Sequence, residues 1–175
     1  MLTRIKTPPG LLFGAFLYRK DLFSQEFLLQ TWQENFGISS IFHPQENPLI
    51  PYYEKEMGTP LERFFVVTKQ VFGREALLET KLLSLNWESS WAQEQKRRVN
   101  VDIGFLSAEN FVLATTKNYS HRIYLGEDIF ADLTYEFKQG SFIPLPWTYP
   151  DYLDQAKRDF LLEERQGLLR TLRAP

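Results

Sequence analysis

Five residues in one short stretch of this chain are of types that handle charge and protons: Asn100, Asp102, Lys117, His121 and Arg122. They fall in the runs Arg97–Arg98–Val99–Asn100–Val101–Asp102, Thr115–Thr116–Lys117 and Ser120–His121–Arg122–Ile123–Tyr124. Arginine offers a planar fork for carboxylate or phosphate, lysine a point charge, and asparagine and tyrosine neutral hydrogen bonds. That set suits a small anionic ligand such as a phosphate or nucleotide, held by Asn100, Lys117 and Arg122, with Tyr124 or Trp147 stacking on it. His121 can serve as general acid or base because imidazole titrates near neutrality. Asp102 is then its proton partner, and Asp102, Asp132 and Glu136 are acids that could orient it. The same residues also fit a solvated face laced with weak ion pairs, Asp102 with Arg98 or Arg122 for example. Equally, a histidine beside Ile123 fits a satisfied core position.

Several other chemistries lack their residues. His43, His121, Asp102 and Asp132 are scattered and show no metal-ligand spacing, so no metal is expected. The contexts His43–Pro44–Gln45 and His121–Arg122–Ile123 are not the repeated H-x-[ST] units of paired-histidine phosphoester chemistry. None of the 9 glycines sits in a G-x-x-x-x-G-K-[ST] frame, whose amides and lysine would cradle phosphates. In Thr116–Lys117–Asn118–Tyr119, Tyr119 stands where a guanine-reading turn needs an aspartate. P-loop GTPase activity is therefore not supported, and no cofactor is indicated.

Bulk properties narrow the partners. The net charge of −2 gives no general attraction to DNA or to an anionic membrane. With no cysteine there is no thiolate or disulfide chemistry. The early apolar run Leu11–Tyr18 is too short to span a bilayer and no cleavage site follows it, so a cytoplasmic protein is expected. The 15 Phe, 8 Tyr and 4 Trp imply an aromatic core, with rings to spare for contact.

The elements that must position these residues follow from periodicity. Residues 1–10, with Pro8, Pro9 and Gly10, read as a mobile arm. Leu11–Tyr18 is a buried strand in which Gly14 admits a close neighbour. Asp21 is the expected cap of a helix running to Phe36, with Gly37 as its left-handed stop. Ile38–Phe42 is a second strand. Residues 43–61, with four prolines, read as a long irregular crossing that carries Tyr52, Tyr53, Glu54 and Glu56. A third strand over Glu62–Phe72 precedes a helix over 74–95, on which Leu78, Leu82 and Leu85 form a stripe. In Arg98–Phe105, Val99, Val101, Ile103 and Phe105 alternate with Arg98, Asn100, Asp102 and Gly104.

This order predicts an α+β fold: a ferredoxin-like split βαβ core over 11–106 with both helices on one sheet face, in a single domain of 175 residues. Residues 107–175 add a β-hairpin extension and a terminal helix. In it Ser107 caps a short helix over 108–116, and Ser120–Leu125, Ile129–Phe137 and Ser141–Leu145 are strands turning at Gly126 and Gly140. Alternation in the middle strand puts Asp132, Thr134 and Glu136 on one face. The run Trp147–Thr148–Tyr149–Pro150–Asp151–Tyr152 reads as a capping box for the helix to Leu172: Thr148 as N-cap, Asp151 as its third-position acid, and Trp147 stapled to Tyr152.

The runs Tyr52–Gly58, Arg97–Leu106, Val112–Lys117 through His121–Leu125, and Trp147–Tyr152 together resemble an uncharacterised bacterial family, domain of unknown function 4416. The family pattern has Asp-Pro-Gly-Tyr where this chain has Asp102–Ile103–Gly104–Phe105, and an acid at the position of Asp132. The resemblance implies no agreed activity; some members carry the label GTP-binding protein. Besides a ligand-binding protein or enzyme, the aromatic surplus and the Tyr52–Tyr53 segment fit a non-catalytic interaction module or homodimer.

Overall fold

The computed structural model describes residues 7–45 and 47–174. The chain runs β1 (Leu11–Arg19), α1 (Gln25–Phe36), β2 (Ser40–Phe42), α2 (Ile50–Met57), β3 (Leu61–Val67), α3 (Ala76–Ser90), β4 (Val99–Leu106), β5 (Asn110–Thr115), β6 (Ile123–Gly126), β7 (Ile129–Lys138), β8 (Ser141–Pro144) and α4 (Gln155–Arg173). This is a mixed α and β protein built on one antiparallel sheet in the order β2-β3-β1-β4-β5-β7-β6, with β8 also paired to β7. Among the described residues no helix is long and apolar enough to cross a membrane.

Strand alternation sorts the core into two layers. Leu12, Phe16, Phe64, Val66, Val101 and Ile103 face α1 and α3, meeting Leu28, Trp32 and Leu77. Phe13, Phe65, Phe111, Leu113 and Tyr135 face α4, meeting Leu161 and Leu168. β1 therefore reads as an unbroken apolar run because both of its faces are covered. Gly14 lies under α1, where an added Cβ would sit 2.6 Å from the Trp32 ring. Gly37 closes α1 at φ 68°, the left-handed stop expected of it.

Several expectations are corrected. The cap of α1 is Ser24, whose Oγ accepts from the Phe27 amide, while Asp21 pairs with Arg19. The 43–61 segment holds a helix, α2, because Pro51 falls in its first turn, where a missing N–H costs nothing. Ser107 does not start a helix. Its hydroxyl accepts from the Glu109 and Asn110 amides and makes the turn into strand β5. The third strand ends at Val67, and β6 begins only at Ile123. Of the expected arm, residues 1–6 lie outside the described residues, and Gly10 is tied to Phe72 by two backbone hydrogen bonds.

The capping box is not formed. The helix cap of α4 is Asp154, which accepts from the Ala156 amide. Thr148 and Trp147 instead fill a gap at the sheet edge. Beyond β5, β7 is paired with β6 over Ile129–Ala131 and with β8 over Tyr135–Lys138, so the residues between have no strand partner on that side. There Trp147 Nε1 donates to the Leu133 carbonyl (2.8 Å) and Thr148 Oγ1 to the Thr134 carbonyl (2.6 Å). A buried carbonyl must find such a donor.

Candidate functional site

β4 and β5 pair only from Ile103↔Ala114 to Leu106↔Phe111. Past that point the two strands part, and Val101 turns its N–H and C=O away from β1 with no strand to receive them. Helix α3 receives them instead. Glu88 Oε1 accepts from the Val101 amide at 2.8 Å, and Lys81 Nζ donates to the Val101 carbonyl at 3.1 Å. Burial pushes the Glu88 carboxyl above its ordinary range, partly offset by Lys81, the Val101 N–H and Arg97.

The opening so propped is a cavity of about 570 Å³. Its lining includes Asn100, Asp102, Lys117 and Asp132, four of the eight residues singled out by sequence, brought together from β4, the β5–β6 loop and β7. Asn100 and Asp102 point toward the α4 side of the sheet, as the alternation in β4 requires. Asp132 shares that face for a reason alternation does not give. The β5–β7 register slips between Phe111 and Val112, so both Asp132 and Tyr135 lie opposite α4-facing residues of β5 (Leu113 and Phe111). The expected face of Asp132, Thr134 and Glu136 is thus broken by a bulge at Thr134, whose hydroxyl bonds the Asp132 carbonyl.

The other four residues are placed differently. Arg122 is buried and spent internally: Nε donates to Asp132 Oδ2 (2.8 Å), Nη1 to the Lys117 carbonyl (2.8 Å) and Nη2 to the Tyr149 hydroxyl (2.6 Å). Three of its five N–H groups are thus committed, and it braces the cavity wall. His121 lies behind Asp132, with Nε2 3.4 Å from Oδ2, and its ring stacks on Trp147 at 4.8 Å. Trp147 is thereby committed to His121 and to the β7 edge. Tyr124 on β6, 59% exposed, packs against Phe130 of β7 and is not among the cavity residues.

Sequence reasoning missed much of the lining. Tyr52, Tyr53 and Glu56 come from α2, Lys81, Leu85 and Glu88 from α3, with Arg97 and Tyr149 beside them. Arg97 ties lid to floor: it grips both Glu56 oxygens (3.0 and 2.8 Å) and reaches Asn100 and Glu88. A signal for α3 was present, since Thr80, Lys81, Ser84 and Glu88 form a polar set among leucines, and all four are buried. Such residues on a covered helix face need a polar partner.

Hydrogen bonding decides which groups remain for a ligand. Asp102 is 32% exposed at its side chain, and among the described residues its one ion pair is with Arg63 at 3.5 Å, which also holds buried Asp151. Among the described residues the Lys117 ammonium has no ion-pair partner. The Tyr53 hydroxyl makes no hydrogen bond, and burial with nearby Asp102 raises its pKa well above the usual tyrosine range. No group of three or more His, Cys, Asp or Glu among the described residues is placed to hold a metal ion.

The arrangement defines an α and β protein with one polar cavity opened between two strands of its sheet and roofed by a short helix. The chain belongs to the family described as Domain of unknown function (DUF4416), whose model matches residues 8–167. No curated protein and no solved structure matches it.

Proposed function

We propose that the protein binds a small anionic ligand, nucleotides included, in the cavity between β4, β5, α2 and α3. The observation that carries this is the convergence of Asn100, Asp102, Lys117 and Asp132 on one cavity, with Lys117 a cation that has no ion-pair partner among the described residues. If the site does proton chemistry, the solvent-reachable Asp102 is the better donor or acceptor. His121 is separated from the cavity by Asp132, which its Nε2 approaches to 3.4 Å without a hydrogen bond. Arg122 acts by bracing Asp132 and Tyr149, while Tyr124 and Trp147 have no part in binding.

The test is a thermal-shift panel of nucleotides and phosphate metabolites at millimolar concentration, on the wild type and on Lys117→Ala. Ligands that bind the folded state raise its melting temperature by mass action. Stabilisation by at least one phosphate-bearing compound, lost in Lys117→Ala, is expected. No stabilisation by any would sink the reading.

The order β2-β3-β1-β4 with helices α1 and α3 on one face supports reading residues 11–106 as a ferredoxin-like core within a single domain. The absence of cysteine supports a cytoplasmic setting, and the negative net charge argues against DNA as a partner. A second reading, a homo-oligomeric or protein-interaction module, is favoured by the neighbouring exposed residues Ile123, Tyr124 and Leu125 on edge strand β6.

A further inference from the structure

The cavity lining holds more than an anion requires. Glu56, Glu88, Asp102 and Asp132 are four carboxylates around one space. An anion surrounded by them would be repelled unless each were offset, and three are: Glu56 by Arg97, Glu88 by Lys81 and Arg97 together, and Asp132 by Arg122. Asp102 is the exception. Arg63 stands behind it at 3.5 Å and is shared with Asp151, so one carboxylate oxygen is left without a hydrogen bond. A carboxylate accepts hydrogen bonds and donates none. The part of the ligand that meets Asp102 must therefore be a donor, and it cannot be the anionic part.

The nature of that donor follows from its neighbours. The charge of Arg63 behind Asp102 disfavours a second cation at the same carboxylate, which argues for a neutral group. Beside Asp102 are the Asn100 amide, two residues along the same face of β4, the unpartnered Tyr53 hydroxyl and the Thr115 and Thr116 hydroxyls. Asn100, whose Oδ1 accepts from Arg97, offers N–H donors, and the hydroxyls both donate and accept. A ligand hydroxyl does the same, and a cluster of hydroxyls satisfies such a mixture where a lone amine would not. Lys117, exposed on the β5–β6 loop, is the cavity cation with no ion-pair or hydrogen-bond acceptor among the described residues, whereas Lys81 and Arg97 are engaged within the fold.

We infer that the ligand is a phosphorylated polyol, its hydroxyls set against Asp102, Asn100 and Tyr53 and its phosphate against Lys117. This inference rests on the reading of the cavity as the ligand site and narrows it. Two sources share the chemistry, a free sugar phosphate and the ribose phosphate of a nucleotide.

Calorimetric titration with inorganic phosphate, ribose, ribose 5-phosphate and adenosine 5′-monophosphate tests it. Ribose 5-phosphate is expected to bind at least about tenfold more tightly than inorganic phosphate, because a polar pocket left unfilled forfeits its hydrogen bonds. Asp102→Ala should erase that preference while leaving the weak affinity for inorganic phosphate, whose persistence also reports an intact fold. Tyr53→Phe, which removes only a hydroxyl, should reduce the preference in the same direction. Lys117→Ala should weaken every phosphate-bearing probe. Tighter binding of the nucleotide than of the sugar phosphate, with the same dependence on Asp102, identifies the nucleotide as the source. If ribose 5-phosphate binds no better than inorganic phosphate, or its advantage survives Asp102→Ala, the polyol inference is overturned and the anion site stands. If no phosphate-bearing probe binds, the site reading itself falls.

Discussion

Lys157 on α4 should make the stability of this protein depend steeply on mild alkali. Its side chain is 1% exposed, lying over the rings of Phe65 (4.1 Å) and Tyr152 (4.5 Å) with Nζ bonded to the Asp151 carbonyl. Burial first, and then the nearby Arg63 charge, lower its pKa to about 7 from the ordinary 10.5. The unfolded chain therefore holds a proton between those two pH values that the folded chain has released. Stability rises with pH wherever the unfolded state binds more protons, so this contribution grows through pH 7 to 10 and shrinks on acidification. For a single site with these two pKa values, raising the pH from 7 to 9 adds about 2 kcal/mol. The window closes above about pH 10, where unfolded tyrosines ionise while buried Tyr135 and Tyr152, both raised by burial, do not. Urea denaturation at half-unit pH intervals, on the wild type and on Lys157→Met, reads the effect as a difference between two curves. Lys157→Met keeps the apolar stem, removes the titration and should flatten the rise between pH 7 and 9. Equal slopes for the two proteins would refute the assignment, and would mean that the amine is solvated or carries its charge in the folded state.

Thr148 is buried at a point where its hydroxyl both accepts from the Leu145 amide and donates to the Thr134 carbonyl. Thr148→Val should cost about 2–4 kcal/mol in urea melts by stranding both groups, and Thr148→Ser about 1 kcal/mol. Thr148→Asp separates this role from helix capping, because an aspartate makes a good cap but cannot donate to a carbonyl; an Asp variant as stable as the Ser variant would revive the capping account. If the β6 edge pairs with a second copy, light scattering will find a dimer that Tyr124→Lys converts to monomer; wild type that stays monomeric at high concentration removes that reading.

The sequence carried the periodic parts of this fold plainly and the exceptions poorly. Alternation in 98–105 placed Asn100 and Asp102 on one face because β4 pairs evenly with β1 along its length. The same rule wrongly grouped Asp132 with Thr134 and Glu136 on one face, since a one-residue slip in register reverses every later side chain and leaves no mark in residue type. Helix α2 was hidden by counting prolines without asking which turn each would occupy. Ser107 and Thr148 were read as helix caps because a hydroxyl accepting a backbone amide looks the same, in sequence, in a cap and in a turn.

The two breaks in the sheet explain why several polar residues are engaged inside the fold. Backbone groups without a strand partner must be met by side chains, and the residues recruited for that duty look like chemistry when read one at a time. Trp147 and Thr148 serve the gap in β7, and Lys81 and Glu88 the gap at Val101. Arg122, the strongest anion-binding candidate by residue type, is consumed by Asp132, Tyr149 and a loop carbonyl. Once these obligations are subtracted, few polar groups of the cavity lining stay unpaired among the described residues: one Asp102 oxygen, the Tyr53 hydroxyl and Lys117. What the fold leaves unsatisfied is set by long-range pairing and is therefore invisible until the strands are in register.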